Sequence, residues 1–112
     1  MTRLIATTLI TAFALACGGG SGAMDPGPAP NEVVIQGFAF DPTPRTISAG
    51  TTVTWVNHDA ANHTSTGGAG QETWDSGALS KNGSFSHTFN VQGTYAYACT
   101  IHPGMHGTIV VN

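Results

Sequence analysis

Charge is scarce in this chain. Of its 112 residues 8% are charged, three of them Lys or Arg against six Asp or Glu, for a formal net charge of −3. Beyond Arg3 the basic side chains are Arg45 and Lys81. No basic patch exists to neutralise a phosphate backbone or an anionic lipid surface, so nucleic acid is excluded as a partner. Helical patterning is missing as well, since no stretch of useful length repeats apolar residues at the 3.6-residue period. Gly67-Gly68-Ala69-Gly70 lacks the Gly-Lys-Ser/Thr that completes a phosphate-cradling loop. Asp59 near His58 and Ser65 does not amount to a catalytic triad, and no other catalytic constellation is visible. The sequence therefore reads as a protein that does no chemistry on a substrate.

The first thirty residues stand apart. Arg3 precedes an uncharged run from Leu4 to Ala16, which closes on Phe13-Ala14-Leu15-Ala16-Cys17. A basic start, a short apolar segment and small residues at its end predict an export signal over 1–16, too short to span a bilayer. Cysteine directly after Ala16 resembles a bacterial lipoprotein signal, which implies cleavage before Cys17 and acylation of its thiol. The alternative is an ordinary secretory peptide cut nearby, with Cys17 free or removed. Residues 17–30 form a tether: Gly18 to Pro30 reads GGGSGAMDPGPAP and has almost nothing to bury. It reaches roughly 40 Å extended and about 20 Å as a coil. The expected location is the cell envelope or periplasm, with membrane contact only through the lipid on Cys17.

Cysteine occurs twice, at Cys17 and Cys99. If Cys17 carries lipid, Cys99 has no disulfide partner in an oxidising compartment. Metal coordination would protect it, because a bound thiolate is both deprotonated and occupied.

Residues 31–112 read as one domain. Short period-two runs alternate with turn residues: Val33 to Phe40, Arg45 to Ser48, Thr52 to Asn57, Thr73 to Ser76, Ser84 to Phe89, Thr94 to Cys99 and Gly107 to Val111. His58 to Gln71 reads as a long polar loop. Many short strands rich in Thr, Val and aromatics predict an all-β, antiparallel sandwich. Its expected core is Trp55, Phe38, Phe40, Phe85, Phe89, Tyr95 and Tyr97. His87, between Phe85 and Phe89, is expected to be partly buried and hydrogen-bonded. Tyr95 is expected to tie down a strand crossing through its hydroxyl.

The chemistry is concentrated in Cys99-Thr100-Ile101-His102-Pro103-Gly104-Met105, a thiolate, an imidazole and a thioether each three residues apart. His63 lies upstream beyond the strand that ends at Asn57. Two imidazoles, one thiolate and a weak axial thioether make the ligand set of a blue-copper electron-transfer site. His63, Cys99, His102 and Met105 are thus the expected ligands of one type 1 copper ion. His58 and His106 are expected to be solvated.

From about Glu32 to Val111 the chain resembles the cupredoxins, most closely amicyanin and the plastocyanin-like proteins. The matching pieces are Thr54-Trp55-Val56-Asn57 with His63 six residues on, Gly93-Thr94-Tyr95-Ala96-Tyr97-Ala98-Cys99-Thr100, and His102-Pro103-Gly104-Met105-His106-Gly107. The resemblance implies a type 1 copper site on a Greek-key sandwich, with electrons passing through the edge of His102. It also implies that Asn57 braces the His63 loop against the Cys99 loop by gripping Thr100. Where similar loops carry proline, this chain has Ile101, whose N–H is available to a second hydrogen bond to the Cys99 sulfur. Donor and acceptor redox proteins are the implied partners of a monomer. Two other readings compete: a copper chaperone or scavenger, and a sandwich that binds zinc structurally, for which methionine is a poor ligand.

Overall fold

The computed structural model describes residues 29–112. The expected signal at 1–16, the expected acylation of Cys17 and most of the expected tether over 17–30 lie outside the described residues. Within them the alternating runs form nine strands: β1 Glu32–Ile35, β2 Phe40–Asp41, β3 Arg45–Ile47, β4 Thr51–Asn57, β5 Thr66–Ala69, β6 Glu72–Asp75, β7 Ser84–Phe89, β8 Gly93–Ala98 and β9 His106–Val111. In β4 the alternation is clean: Val53, Trp55 and Asn57 are buried while the residues between them are not. The described residues contain no helix.

The strands make two sheets, β2-β1-β4-β7 and β3-β9-β8-β5-β6, whose apolar faces pack into a β-sandwich. The expected antiparallel pairing is corrected at two places: β1 runs parallel to β4, and β3 parallel to β9. Alternation dictates which face of a strand is buried and carries no information on its direction. The directions follow instead from a chain that passes repeatedly from one sheet to the other, as it does between β2 and β3, β3 and β4, and β4 and β5.

The core lies between the sheets. Trp55 is fully buried, with its ring centroid 5.5 Å from that of Tyr97 and 5.6 Å from that of Trp74. Burying a ring of this size is worth about 4–6 kcal/mol by area, as an upper figure. Tyr97 fits because glycines flank it on both neighbouring strands, Gly67 of β5 and Gly107 of β9. A Cβ on Gly107 would lie 2.3 Å from the Tyr97 ring. A Cβ on Gly67 would lie 2.5 Å from both the Ala96 carbonyl oxygen and the Tyr97 Cα. This close approach corrects the reading of His58 to Gln71 as one loop. Glycine argues against a strand by propensity, yet β5 exists because its glycines admit the neighbouring chain.

Tyr95 donates its hydroxyl to the Val91 carbonyl at 2.7 Å and so ties the β7–β8 crossing, as expected. His87 is partly buried on the inward side of β7, and its Nε2 meets Glu72 Oε1 of β6 at 2.9 Å. That bond joins the edge strands of opposite sheets. Phe38 departs from its expected place in the core. It is 52% exposed, because Gly37 and Phe38 both take left-handed φ, 65° and 59°, which ends the alternation of β1. A non-glycine residue there costs about 1–2 kcal/mol.

Candidate metal centre

Two strand ends create the site. β4 stops at Asn57 and its following loop carries His63; β8 stops at Ala98, one residue before Cys99. β5 pairs with β8 so that Thr66 faces Ala98. The same register carried two residues further sets Thr64 opposite Thr100, and the side chains meet there: Thr100 N–H donates to Thr64 Oγ1 at 2.9 Å, and the two hydroxyls lie 3.1 Å apart. His63 and Cys99 are drawn together by that extension.

The three donor atoms converge. Cys99 Sγ is 3.8 Å from His63 Nδ1 and 3.6 Å from His102 Nδ1, and the two Nδ1 atoms are 3.0 Å apart. His63 and Cys99 are buried and His102 is partly exposed. His63 is held on both sides of its backbone, by N–H donation to the Leu79 carbonyl at 3.1 Å and acceptance from Leu79 N–H at 2.7 Å. The loop after Cys99 is closed by Cys99 N–H to the Met105 carbonyl at 3.0 Å and Met105 N–H to the His102 carbonyl at 3.3 Å. Met105 is buried at the end of this loop.

The His63 ring is also oriented by its second nitrogen. Nε2 lies 2.9 Å from Asp59 Oδ2. A carboxylate only accepts, so Nε2 carries the proton and the Nδ1 lone pair points at the other donors. Burial raises the Cys99 thiol, but the Thr64 N–H, the two imidazoles and, least of all, the Ile101 N–H outweigh it and bring the group from 9.0 down to about 6. These contacts favour the thiolate form of the sulfur. One thiolate and two imidazole nitrogens facing one point, with a buried thioether on the same loop, fit a soft metal ion that accepts both sulfur and nitrogen.

One expected contact is replaced. Asn57 is fully buried, but its Nδ2 donates to the carbonyls of Ala61 and Leu79, at 2.9 and 2.7 Å, and its Oδ1 accepts from Asp59 N–H at 2.8 Å. It shapes the His63 loop; the link to Thr100 is made by Thr64 instead. The reason is reach, since Thr64 already sits in register with Thr100. His58 and His106 are exposed and stand apart from the three donors.

The sequence reading dismisses Asp59 as a triad member and places Phe38 in the core, and expects neither at the site. Asp59 Oδ1 accepts from Gly37 N–H and Oδ2 from Phe38 N–H, each at 2.9 Å, in addition to His63. Burial raises the Asp59 carboxyl, but these bonds leave it below its ordinary 3.8. The Phe38 ring stands edge-on to His63 at 4.9 Å and to His102 at 4.7 Å. Neither residue carries a sequence signal, because irregular backbone brings their side chains to the imidazoles.

Comparison with known proteins agrees with this geometry. Residues 29–112 match the family of copper binding proteins described as plastocyanin/azurin. The chain is similar to amicyanin-alpha of Methylorubrum extorquens, 37% identical over 83 residues that cover 71% of this chain and 70% of that protein. It is 38% identical to the amicyanin of Paracoccus versutus over 69 residues, 59% of this chain and 52% of that one. A solved structure of a substituted amicyanin in its oxidised state superposes with a TM-score of 0.66 at 35% identity, covering 72% of this chain and 80% of the other. The chain belongs to the plastocyanin/azurin family of copper binding proteins, as a cupredoxin of amicyanin type.

Proposed function

We propose that this chain is a lipid-anchored type 1 blue-copper protein that carries single electrons between redox proteins of the cell envelope. As a cupredoxin it takes one type 1 copper ion, which supplies a one-electron Cu(I)/Cu(II) couple. His63, Cys99, His102 and Met105 are the residues that would hold it. The observation that carries the reading is the convergence of Cys99 Sγ and the two Nδ1 atoms, all within 3.8 Å of one another.

The remaining work belongs to the chain. The Leu79 pairing and the Asp59 carboxylate fix His63, and the closed 99–105 loop fixes Cys99 and Met105. Donors that are rigidly placed serve both oxidation states with little rearrangement, which keeps electron exchange fast. His102 is the partly exposed member of the set and so the point nearest a docked partner. Exposed apolar Phe38 and Ile101 suit a weak, short-lived contact there. The signal, the Cys17 acyl group and the tether would keep the domain within reach of membrane-bound donors and acceptors.

Two measurements test the proposal. Voltammetry of the copper-loaded protein should give a reversible one-electron wave, and an irreversible or absent wave would refute electron carriage. Cys17→Ser should move the protein from the membrane fraction to the soluble fraction, and unchanged partitioning would refute the anchor.

A further inference from the structure

The four donors leave Asp59 and Phe38 unaccounted for. The Asp59 carboxylate is shared by two separate segments of chain: it accepts the N–H groups of Gly37 and Phe38 in the β1–β2 turn, and the Nε2–H of His63 in the β4–β5 loop. Two successive residues at left-handed φ turn their N–H groups toward one side, and such a concave pair suits an anion. Glycine adopts that conformation freely. Phenylalanine does not, and a strained residue at a site points to a task. The consequence here is visible: the Phe38 ring is held edge-on against both imidazoles while half of it faces water. Asn57, through its bond to Asp59 N–H, aims the carboxylate.

We propose that Asp59 is a positioning residue that builds Phe38 into the copper site. The inference rests on the electron-carrier reading above and adds a role to it. One carboxylate orients His63 through Nε2 and, through two backbone bonds, pins the turn that lays Phe38 over the imidazole edges. The ring keeps water from the His63 and His102 nitrogens and slows loss of the ion. Orientation and shielding are therefore coupled through a single side chain.

The test uses the full-length, copper-loaded protein and compares wild type, Asp59→Asn, Phe38→Ala and the double variant. The first readout is the rate of Cu(I) release to a water-soluble Cu(I) chelator. The second is the exchange of the His63 Nε2 proton with water by NMR in the reduced state, which a merely structural role would not move. Asp59→Asn should speed both at least tenfold. Phe38→Ala should speed release by a similar factor, and the double variant should release little faster than either single one. Effects on release that multiply independently would overturn the inference, as would an Asp59→Asn protein with wild-type exchange. Should Asp59→Asn not fold, Phe38→Ala, which removes no hydrogen bond, decides alone: release at the wild-type rate contradicts the shield. A wild-type chain that binds copper without a thiolate absorption band would refute the electron-carrier reading. The release cycle would still report on the coupling of Asp59 to Phe38.

Discussion

The backbone N–H of Thr64 donates to the sulfur of Cys99 across 3.4 Å, joining the residue after one expected copper ligand to another. The bond is set by strand register, since β5 and β8 bring Thr66 to Ala98 and their extensions bring Thr64 to the Cys99 loop. A thiolate that accepts N–H bonds is less electron-rich and gives less to a bound cation. The fold thereby tunes the metal through backbone geometry that side-chain substitution leaves in place.

The second influence of this kind is the Ile101 N–H, the weakest of those that lower the Cys99 thiol. Ile101→Pro removes it without touching a side chain of the site. With one donor fewer, the thiolate favours Cu(II) and the potential should fall. A weak hydrogen bond corresponds to at most about tenfold in the redox equilibrium, or about 60 mV for one electron. Voltammetry of the two proteins checks this, and a potential that stays level or rises contradicts it.

Acid should weaken the fold at Glu72. This buried carboxylate meets His87 Nε2 at 2.9 Å and accepts from the N–H of Asn90 and Val91 at 2.6 and 2.9 Å. Burial raises it, but these bonds win and leave it below its ordinary 4.5. A lowered folded-state pKa means that the unfolded chain binds the proton first. The stabilisation is thus complete above about pH 4.5 and is lost as pH falls through the folded value. Glu72→Gln should cost about 2–3 kcal/mol at pH 7, measured by denaturant unfolding of the copper-loaded proteins. The gap between the two proteins should narrow below pH 4.5, and a constant gap down to pH 3 would contradict the assignment.

Gly67→Ala should be among the more damaging strand substitutions. Its Cβ would meet rigid backbone, the Ala96 oxygen and the Tyr97 Cα, at 2.5 Å. A loss of about 2 kcal/mol or more is expected from overpacking. Gly37→Ala has nothing within 4 Å and only its φ of 65° against it, so it should lose about 1 kcal/mol. Thermal melts of both variants check the order, and a reversed order would contradict the role given to Gly67.

The sandwich and the donors were legible in the sequence for simple reasons. Alternation marks buried strand faces, so β4, β7 and β8 could be read directly from Val53-Thr54-Trp55, Phe85 to Phe89 and Tyr95 to Tyr97. Ligand chemistry is local along Cys99 to Met105, and only His63 needed a fold to join it. What alternation cannot express stayed hidden: the parallel pairing of β1 with β4, and a glycine strand whose reason is the Tyr97 ring. Phe38 was misplaced because two left-handed residues, not a pattern of apolar spacing, decide where its ring goes. Asn57 was assigned to Thr100 through resemblance, whereas its amide reaches Ala61 and Leu79.

The most direct test of the account is the optical spectrum of the protein after addition of one equivalent of Cu(II). A thiolate and two imidazoles on one ion predict an intense visible thiolate-to-copper band that bleaches on reduction, returns on reoxidation and is lost in Cys99→Ser. A colourless complex that binds only Cu(I), or a band that survives Cys99→Ser, would contradict it.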